Sequence, residues 1–488
     1  MKTKQTLVTL VYEYSRKQIM SGQWAYGKPF LSAAMLCQYY SISMRTAKAV
    51  LQRLKEDGLI RAEERKRSVV IYQLPLLDDG LMEIGLVLRQ KNTTLAVCRT
   101  IESIMPELLA FYVPFCNALA LEHYEVALEW KNKKQLQGRW RTASHLFHDV
   151  LCATGNLLAS TMYASLETHA QLPYLYDYQA AFTGFSLYDD NNDVSAIITQ
   201  YQKQNRQAIH NGFYKSFHTA MLSIRRSFKM LSDTYPDFPV DSEIHYTWNA
   251  EHVRLPLYMR VARDIINKIG TGYYPCGSFL PPERELAKQY GMSVYTIREA
   301  LRRLNDLGFG LTYKSKGTQV GFPSAEISYR TINNKEYQRD IMLYLSALQL
   351  MALLIRPAAL LVFDQIGKKD RLEIQERFAT AGCPPLDVLF QCIIDRLDLQ
   401  PFKTILLELH ELLNWGYYFS LFQGSDRSLS PLHRISMNAF HRLQENDRKG
   451  FAVGLCECYC HILTCSRNFV VKQGLHEAKK IKTPEPLP

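Results

Sequence analysis

Residues 256–320 read PLYMRVARDIINKIGTGYYPCGSFLPPERELAKQYGMSVYTIREALRRLNDLGFGLTYKSKGTQV, and this stretch decides the fold. Its first segment, 257–269, puts Val261, Ile265 and Ile269 on one helical face. Gly272 and Gly277 bracket a turn, and Pro281 and Pro282 open a second short helix, where a missing N–H costs little. That helix, 283–290, stops at Gly291, a residue suited to the left-handed position after a helix. Two residues later the Ser293 hydroxyl can cap a third helix. This helix buries Ile297, Ala300, Leu301 and Leu304, spaced by three and four, and Gly308 ends it. Two short runs, 309–313 and 318–321, flank a hairpin turn at 314–317.

Helix, helix, tight turn, helix, hairpin is the order of a winged helix-turn-helix. Such a third helix lies in the DNA major groove with its N-terminal residues at the base edges. Tyr295, Thr296, Arg298 and Arg302 lie off the buried stripe. Arg can chelate guanine O6 and N7, and Thr or Ser adapts to several edges. The competing expectation is a solvated helix face, with Arg298 and Arg302 balanced by Glu299 and Asp306.

The stretch resembles the DNA-binding domain of the GntR family of bacterial transcription regulators. The resemblance rests on Pro256, Leu257, Tyr258, Gly272, Pro275, Gly277, Leu280, Pro281, Glu283, Arg284, Glu285, Leu286, Ala287, Gly291, Ser293, Thr296, Arg298, Glu299, Ala300, Leu301, Leu304, Gly308 and Gly317. It implies DNA contacts from Arg284, Thr296, Arg298 and the wing glycine Gly317. With Ser293, Tyr295, Lys314 and Lys316 these form the candidate interface. Val294 and Pro282 depart from the family, which has Arg and Ser there.

The N-terminal residues repeat this pattern at a constant shift of 250. Ile19, Gly22, Gly27, Leu36, Tyr40, Ser43, Thr46, Leu51, Arg53, Leu54 and Gly58 match residues 250 positions later. The reading positions have drifted: Ala34 stands for Arg284, Arg45 for Tyr295 and Lys48 for Arg298. The wing becomes Arg65, Lys66 and Arg67. Lys is a flexible point charge, poorer than Arg at bidentate reading. Ser43, Arg45, Thr46, Lys48, Arg65, Lys66 and Arg67 are thus a second candidate interface, richer in phosphate than in base contacts.

Charge agrees. Residues 1–75 hold 13 Lys and Arg against 5 Asp and Glu, and 251–325 hold 11 against 6. These stretches carry +13 of a chain whose net charge is +11, which leaves −2 for the rest. A basic excess confined to the reading domains is the footprint of a phosphate partner.

Between and after them the chain reads as all-helical, with apolar-periodic segments at 95–115, 118–130, 140–166 and 194–231. The expected fold is mainly α: two winged helix-turn-helix domains with small β wings, alternating with two helical bundles. The boundaries are 1–75, 76–235, a linker at 236–250, 251–325, 326–475 and a disordered tail at 476–488. Short matches at a shift of 238 suggest that the bundles are also copies: Gln137 with Gln375, Arg139 with Arg377, 149–151 with 387–389, and 212–213 with 450–451.

A helical domain of this size resembles the FCD or FadR-like subgroup, which binds a small effector, in some members through a His and Asp metal site. The matching residues are Arg99, Thr100, Ile101 and Glu102, then 147–151 with Gly155 and Asn156. Arg99 and His148 are the candidate effector residues. Ser144 stands where the subgroup has its Asp, Ile224 replaces a ligand histidine, and Leu386 holds the place of His148 in the second bundle. Two His and a carboxylate are the minimum for a metal, so none is expected. His148 on a helix reads equally as a satisfied polar residue.

Eleven scattered cysteines without a signal peptide suit a reducing cytoplasm. Cys456, Cys458, Cys460, Cys465 and His461 lack zinc-site spacing. The apolar run 350–363 is interrupted by Arg356 and Pro357 and reads as too short to span a membrane. No phosphate loop or nucleophile elbow is present, and each helical block is too short for an aminotransferase-like domain. The expected function is sequence-specific DNA binding by a regulator, not an enzyme, with a DNA operator, a small-molecule effector and a pseudo-dimer or homodimer. The rival is an adaptor whose winged domains have lost specific reading.

Overall fold

The computed structural model describes residues 7–20, 24, 26–40, 42–61, 67–72, 81–116, 139–152, 155–170, 205–250, 257–270, 272–321, 335–379, 384–413 and 431–485. They fall into two compact units, the first mostly Met1–His252, the second mostly Val253–Leu397 with Leu406–Pro486.

The first unit begins with α1 (Leu7–Met20), α2 (Ala33–Tyr40) and α3 (Met44–Glu56), followed by β1 (Ile60–Arg61) and β2 (Val69–Val70). Helix α3 is amphipathic: Ala47, Val50 and Leu54 are fully buried against Leu36, Ile19 and Phe30 in one core. Val50 and Leu54 each contribute about 1.5–3 kcal/mol by leaving water. The strands are antiparallel, with Ile60 opposite Val70 and Arg61 opposite Val69.

The first helical part comprises α4 (Leu81–Arg89), α5 (Lys91–Tyr112), α6 (Arg139–Cys152), α7 (Ala159–Ala170) and α8 (Arg206–Thr234). Helices α5 and α8 form its central pair, and α1 and α2 rest on α7. The segment read as one helix over 140–166 is two. Gly155 takes φ +75°, and the Asn156 carboxamide oxygen accepts from Leu158 N at 2.9 Å and Ala159 N at 3.1 Å. A left-handed residue followed by an N-cap ends one helix and starts the next. The expected segment 118–130 lies outside the described residues.

The expected linker at 236–250 is a packed strap. Arg89 pairs with Asp241 at 3.3 Å, Asn92 donates to the Asp241 carbonyl at 2.8 Å, and Ser165 donates to the Thr247 carbonyl at 3.0 Å. Tyr246, Trp248 and Ala250 are buried. Two large aromatics without helical periodicity gave no sequence pattern, yet they bury enough apolar surface to fix the chain.

The second unit opens with α9 (Leu257–Gly270), α10 (Glu283–Tyr290), α11 (Val294–Asp306), β3 (Gly310–Tyr313) and β4 (Gly317–Val320). Local geometry follows the sequence: Gly291 is left-handed at φ +61°, Gly308 has φ +79°, and Ile297, Ala300, Leu301 and Leu304 are buried. The same bonds occur 250 residues earlier. Gly27 N donates to the Val70 carbonyl and Gly277 N to that of Val320, both at 2.9 Å. Leu59 N donates to Leu54 O at 3.0 Å, and Phe309 N to Leu304 O at 2.9 Å. Isolated bridges join Pro29 to Val69 and Phe279 to Gln319.

The second helical part holds α12 (Lys335–Val362), α13 (Lys368–Ala379), α14 (Pro385–Arg396), α15 (Gln400–Leu413), α16 (Pro431–Gln444) and α17 (Arg448–Lys472). Helices α12 and α17 pair as α5 and α8 do, and a proline sits inside both α5 (Pro106) and α12 (Pro357). Phe213 in α8 and Phe451 in α17 are both fully buried. The matches at 149–151 and 387–389 differ in position, the first near the end of α6 and the second in the first turn of α14.

Two expectations are corrected in this part. The apolar helix is longer than the sequence reading allowed: 338–365 spans 28 residues, enough by length to cross a membrane. Its apolar window is 78% buried within the unit, as in a core helix. The described residues of the expected disordered tail, 476–485, are packed instead. Gln349 donates to the Lys482 carbonyl at 2.7 Å, Thr464 and Thr483 hydroxyls meet at 2.9 Å, and Ile481 is fully buried. One buried isoleucine and backbone carbonyls with donors offset the charge and proline content that had suggested disorder.

Candidate nucleic-acid interface

Helix α11 carries the main candidate surface. Ser293 sits in extended geometry at its N-cap, and its hydroxyl accepts from Thr296 N at 3.1 Å. The Ser293 and Thr296 hydroxyls are themselves hydrogen-bonded at 2.8 Å. Both residues therefore shape the helix start, and any bond either makes to DNA must share these partners. Tyr295 projects outward with 72% of its surface exposed.

Arg298 is exposed, but its guanidinium is held by Glu283 of α10: Nη2 to Oε2 is 2.8 Å and Nε to Oε1 is 3.3 Å. The hydrogen bond to Glu283, then its charge, raises the Arg298 pKa further. A two-point contact of this kind fixes the plane of the guanidinium. Through this contact Glu283 joins the candidate site, which sequence reasoning had not included; its signal was a carboxylate at the start of the short helix before α11. Arg302 instead pairs along its own helix with Glu299 at 2.9 Å and Asp306 at 3.8 Å. The solvated-face expectation thus describes Arg302, and Arg298 has a different partner.

Arg284, Lys314, Lys316 and Gly317 are exposed. Ser315 and Gly317 take positive φ, +73° and +97°, which turns the hairpin back between the two lysines.

The corresponding surface of the first unit repeats the cap. Ser43 Oγ accepts from Thr46 N at 3.2 Å, and the two hydroxyls are 2.9 Å apart. Arg45, Lys48 and Arg67 are exposed, while Arg65 and Lys66 lie outside the described residues. Ala33 occupies the place of Glu283, so Lys48 has no carboxylate at that position.

The candidate effector residues are not brought together. Arg99 is exposed on α5, whereas His148 is buried in the core. His148 Nδ1 is 2.9 Å from Ser160 Oγ, and Nε2 is 2.8 Å from Glu167 Oε2. Both ring nitrogens are thus engaged within the protein, the satisfied arrangement that the sequence left open. Ser144 and Ile224 are buried in the same helical part. Among the described residues no group of three His, Cys, Asp or Glu could hold a metal ion. In α17 the Cys456 and Cys460 sulfurs lie 3.8 Å apart and Cys465 lies 3.7 Å from His461 Nε2. Burial pushes the Cys458 thiol up to about 12.

The family described as "Bacterial regulatory proteins, gntR family" matches residues 257–320. The Histidine utilization repressor of Pseudomonas aeruginosa is 35% identical over 82 residues, which is 17% of this chain and 33% of that protein. The HTH-type transcriptional repressor NagR of Bacillus subtilis is 35% identical over 72 residues, 15% of this chain and 30% of that one. The HTH-type transcriptional regulator GgaR of Escherichia coli (strain K12) is 34% identical over 65 residues, covering 13% and 26%. The chain thus spans a third or less of the curated relatives it matches. The solved structure of E. coli McbR/YncC is 18% identical and covers 45% of this chain and 99% of that one, with a TM-score of 0.19, too low to bear on the fold. Residues 257–320 match the GntR family, and the curated relatives that share this stretch are named as transcription regulators.

Proposed function

We propose that the chain is a sequence-specific DNA-binding transcription regulator of the GntR type, working in a bacterial cytoplasm. One observation carries this reading. Within the GntR domain, α11 presents Tyr295 and an Arg298 that Glu283 holds in plane, on an exposed helix N-terminus. A fixed guanidinium suits two-point reading of guanine.

The finer reading has two reading heads on one polypeptide. Support comes from the caps, bridges and hairpin bonds that recur 250 residues apart. That recurrence favours duplication of the winged parts, and the matching pairs α5 with α8 and α12 with α17, each with a proline in its first helix, extend the reading to the helical parts and to a covalent pseudo-dimer. Such a protein reads an imperfect palindrome, with the stricter half-site under Arg284 and Arg298 and the looser one under Arg45 and Lys48. Joining the heads makes the second docking step intramolecular and raises its effective concentration. The helical parts are the place for a small-molecule effector.

Selection of genomic fragments by the full chain tests the reading. Enrichment of a shared sequence, with affinity well above that for random duplex at two salt concentrations, supports it. Equal affinity for both pools would favour the adaptor reading instead. Light scattering on the complex then counts chains: one chain per imperfect palindrome supports the pseudo-dimer, and two chains on a perfectly symmetric site overturn it.

A further inference from the structure

The hairpin of the GntR domain has two different faces. On one, Asn305 donates to Thr312 Oγ1 at 2.7 Å, and the Thr312 and Thr318 hydroxyls meet at 2.8 Å, so this face is tied to α11. Strand alternation sends Leu311 and Tyr313 to the other face. There Leu311 lies opposite Gln319 and Tyr313 opposite Gly317, and the bridge to Gln319 adds Phe279. The Phe279 ring lies beside Gly317, 3.9 Å from where a Cβ there would stand. The Phe279 and Tyr313 rings are 6.3 Å apart between centroids.

The result is an apolar strip in water. Phe279 is 46% exposed, Leu311 58% and Tyr313 41%. It lies directly behind the turn that holds Lys314 and Lys316, and residues 309–321 contain no acidic side chain. The local fold does not require the strip. The first unit makes the same bridge and the same flanking bonds with Pro29 in place of Phe279 and Arg61 in place of Leu311. An exposed apolar strip beside a turn whose charged residues, Lys314 and Lys316, are both cations is matched to a polyanion with apolar faces, which is DNA.

We propose that Phe279 and Tyr313, with Leu311 behind them, form a wedge that presses on the minor groove beside the recognition site and bends the duplex. With α11 in the major groove, the lysine turn meets phosphates and the rings meet deoxyribose and base edges. Apolar wedges in the minor groove partly unstack a base step and bend DNA away from the groove they enter. The proposal rests on the DNA-binding reading above and adds a deformation that the reading does not need.

The test uses the full chain and short duplexes that it selects from a random pool, labelled with donor and acceptor dyes at their ends. Wild-type protein should raise energy transfer, as a bent duplex brings its ends together. The variant carrying Phe279→Pro and Tyr313→Ser should bind the same duplexes roughly tenfold more weakly and leave them straight. Proline is the residue that this fold already tolerates at position 29, and a thermal melt checks that the variant is folded. If it is not, Leu311→Arg, which copies Arg61, should also reduce the bend. The conservative pair Phe279→Leu and Tyr313→Phe should keep most of it. A selected duplex that stays straight under the wild type overturns the wedge alone. An unchanged bend in the variants also overturns it, and loss of chain-to-chain association in their place would assign the strip to a protein contact. If the wild type enriches no duplex, the DNA-binding reading itself fails.

Discussion

Arg298 and Glu283 are fifteen residues apart in sequence, and their side chains meet at 2.8 Å across the turn between α10 and α11. The pair exists only in the second unit: in the first, Ala33 and Lys48 stand at both positions. The two units thus differ at both positions, a carboxylate with a guanidinium in one and neither in the other. An arginine meant for two-point reading benefits from an orienting partner, whereas a lysine on a phosphate does not.

Arg298→Ala should therefore cost about 1–3 kcal/mol on the selected site and relax its sequence preference. Glu283→Ala should act differently, lowering the preference while leaving or raising affinity for random duplex, because it removes a negative charge near phosphates. Fluorescence anisotropy on selected and random duplexes separates the two. Equal losses on both pools for Arg298→Ala would restrict Arg298 to phosphate binding.

The two caps should be equivalent. Ser293→Ala and Ser43→Ala each remove an acceptor from a helix N-terminus, at about 1 kcal/mol. Native-state hydrogen exchange should show that loss in the amides of α11 or α3 alone. No change in the Thr296 or Thr46 region would mean that solvent replaces the hydroxyl.

Leu54 and Leu304 fill corresponding places, and both are fully buried. Replacing either by Ala removes apolar surface and leaves a cavity, for about 2–5 kcal/mol. Urea unfolding followed by exchange should place each loss in its own unit. A loss below about 1 kcal/mol would show that the small core collapses around the gap.

Acid should weaken the second helical part. Burial against Phe390, whose ring stacks on His410 at 4.4 Å, pushes the His410 pKa below its ordinary 6.5, although the charges of Asp387 and Glu411 act the other way. The unfolded chain then takes up the proton first. Stability is complete above about pH 6.5 and is lost as pH falls from there toward the folded pKa. Urea midpoints at neutral and mildly acid pH should differ less in His410→Gln than in the wild type. An identical difference would assign the effect to other groups, of which His461, also lowered by burial, is the first candidate.

The first wing should supply charge without sequence. Replacing Arg65, Lys66 and Arg67 by Ala should weaken binding to all duplexes and reduce the salt slope by up to about 0.9 for each phosphate no longer neutralised. An unchanged slope would remove this wing from the interface.

Much of this protein was readable one residue after another. Gly291 and Gly308 are left-handed where the sequence placed helix ends, Ser293 caps where it was expected and Ser43, its match 250 residues earlier, caps likewise, and the buried stripe of α11 follows its spacing of three and four. These features depend on φ preference, a hydroxyl within three residues, or helical periodicity. Each is set by neighbours in the chain, so the string of residues carries it. The strap at 236–250, the tail on α12 and α17, the paired ring nitrogens of His148 and the hold of Glu283 on Arg298 had no such pattern. Their partners come from elsewhere in the chain, and which donor meets which acceptor was decided only when packing brought them within about 3 Å.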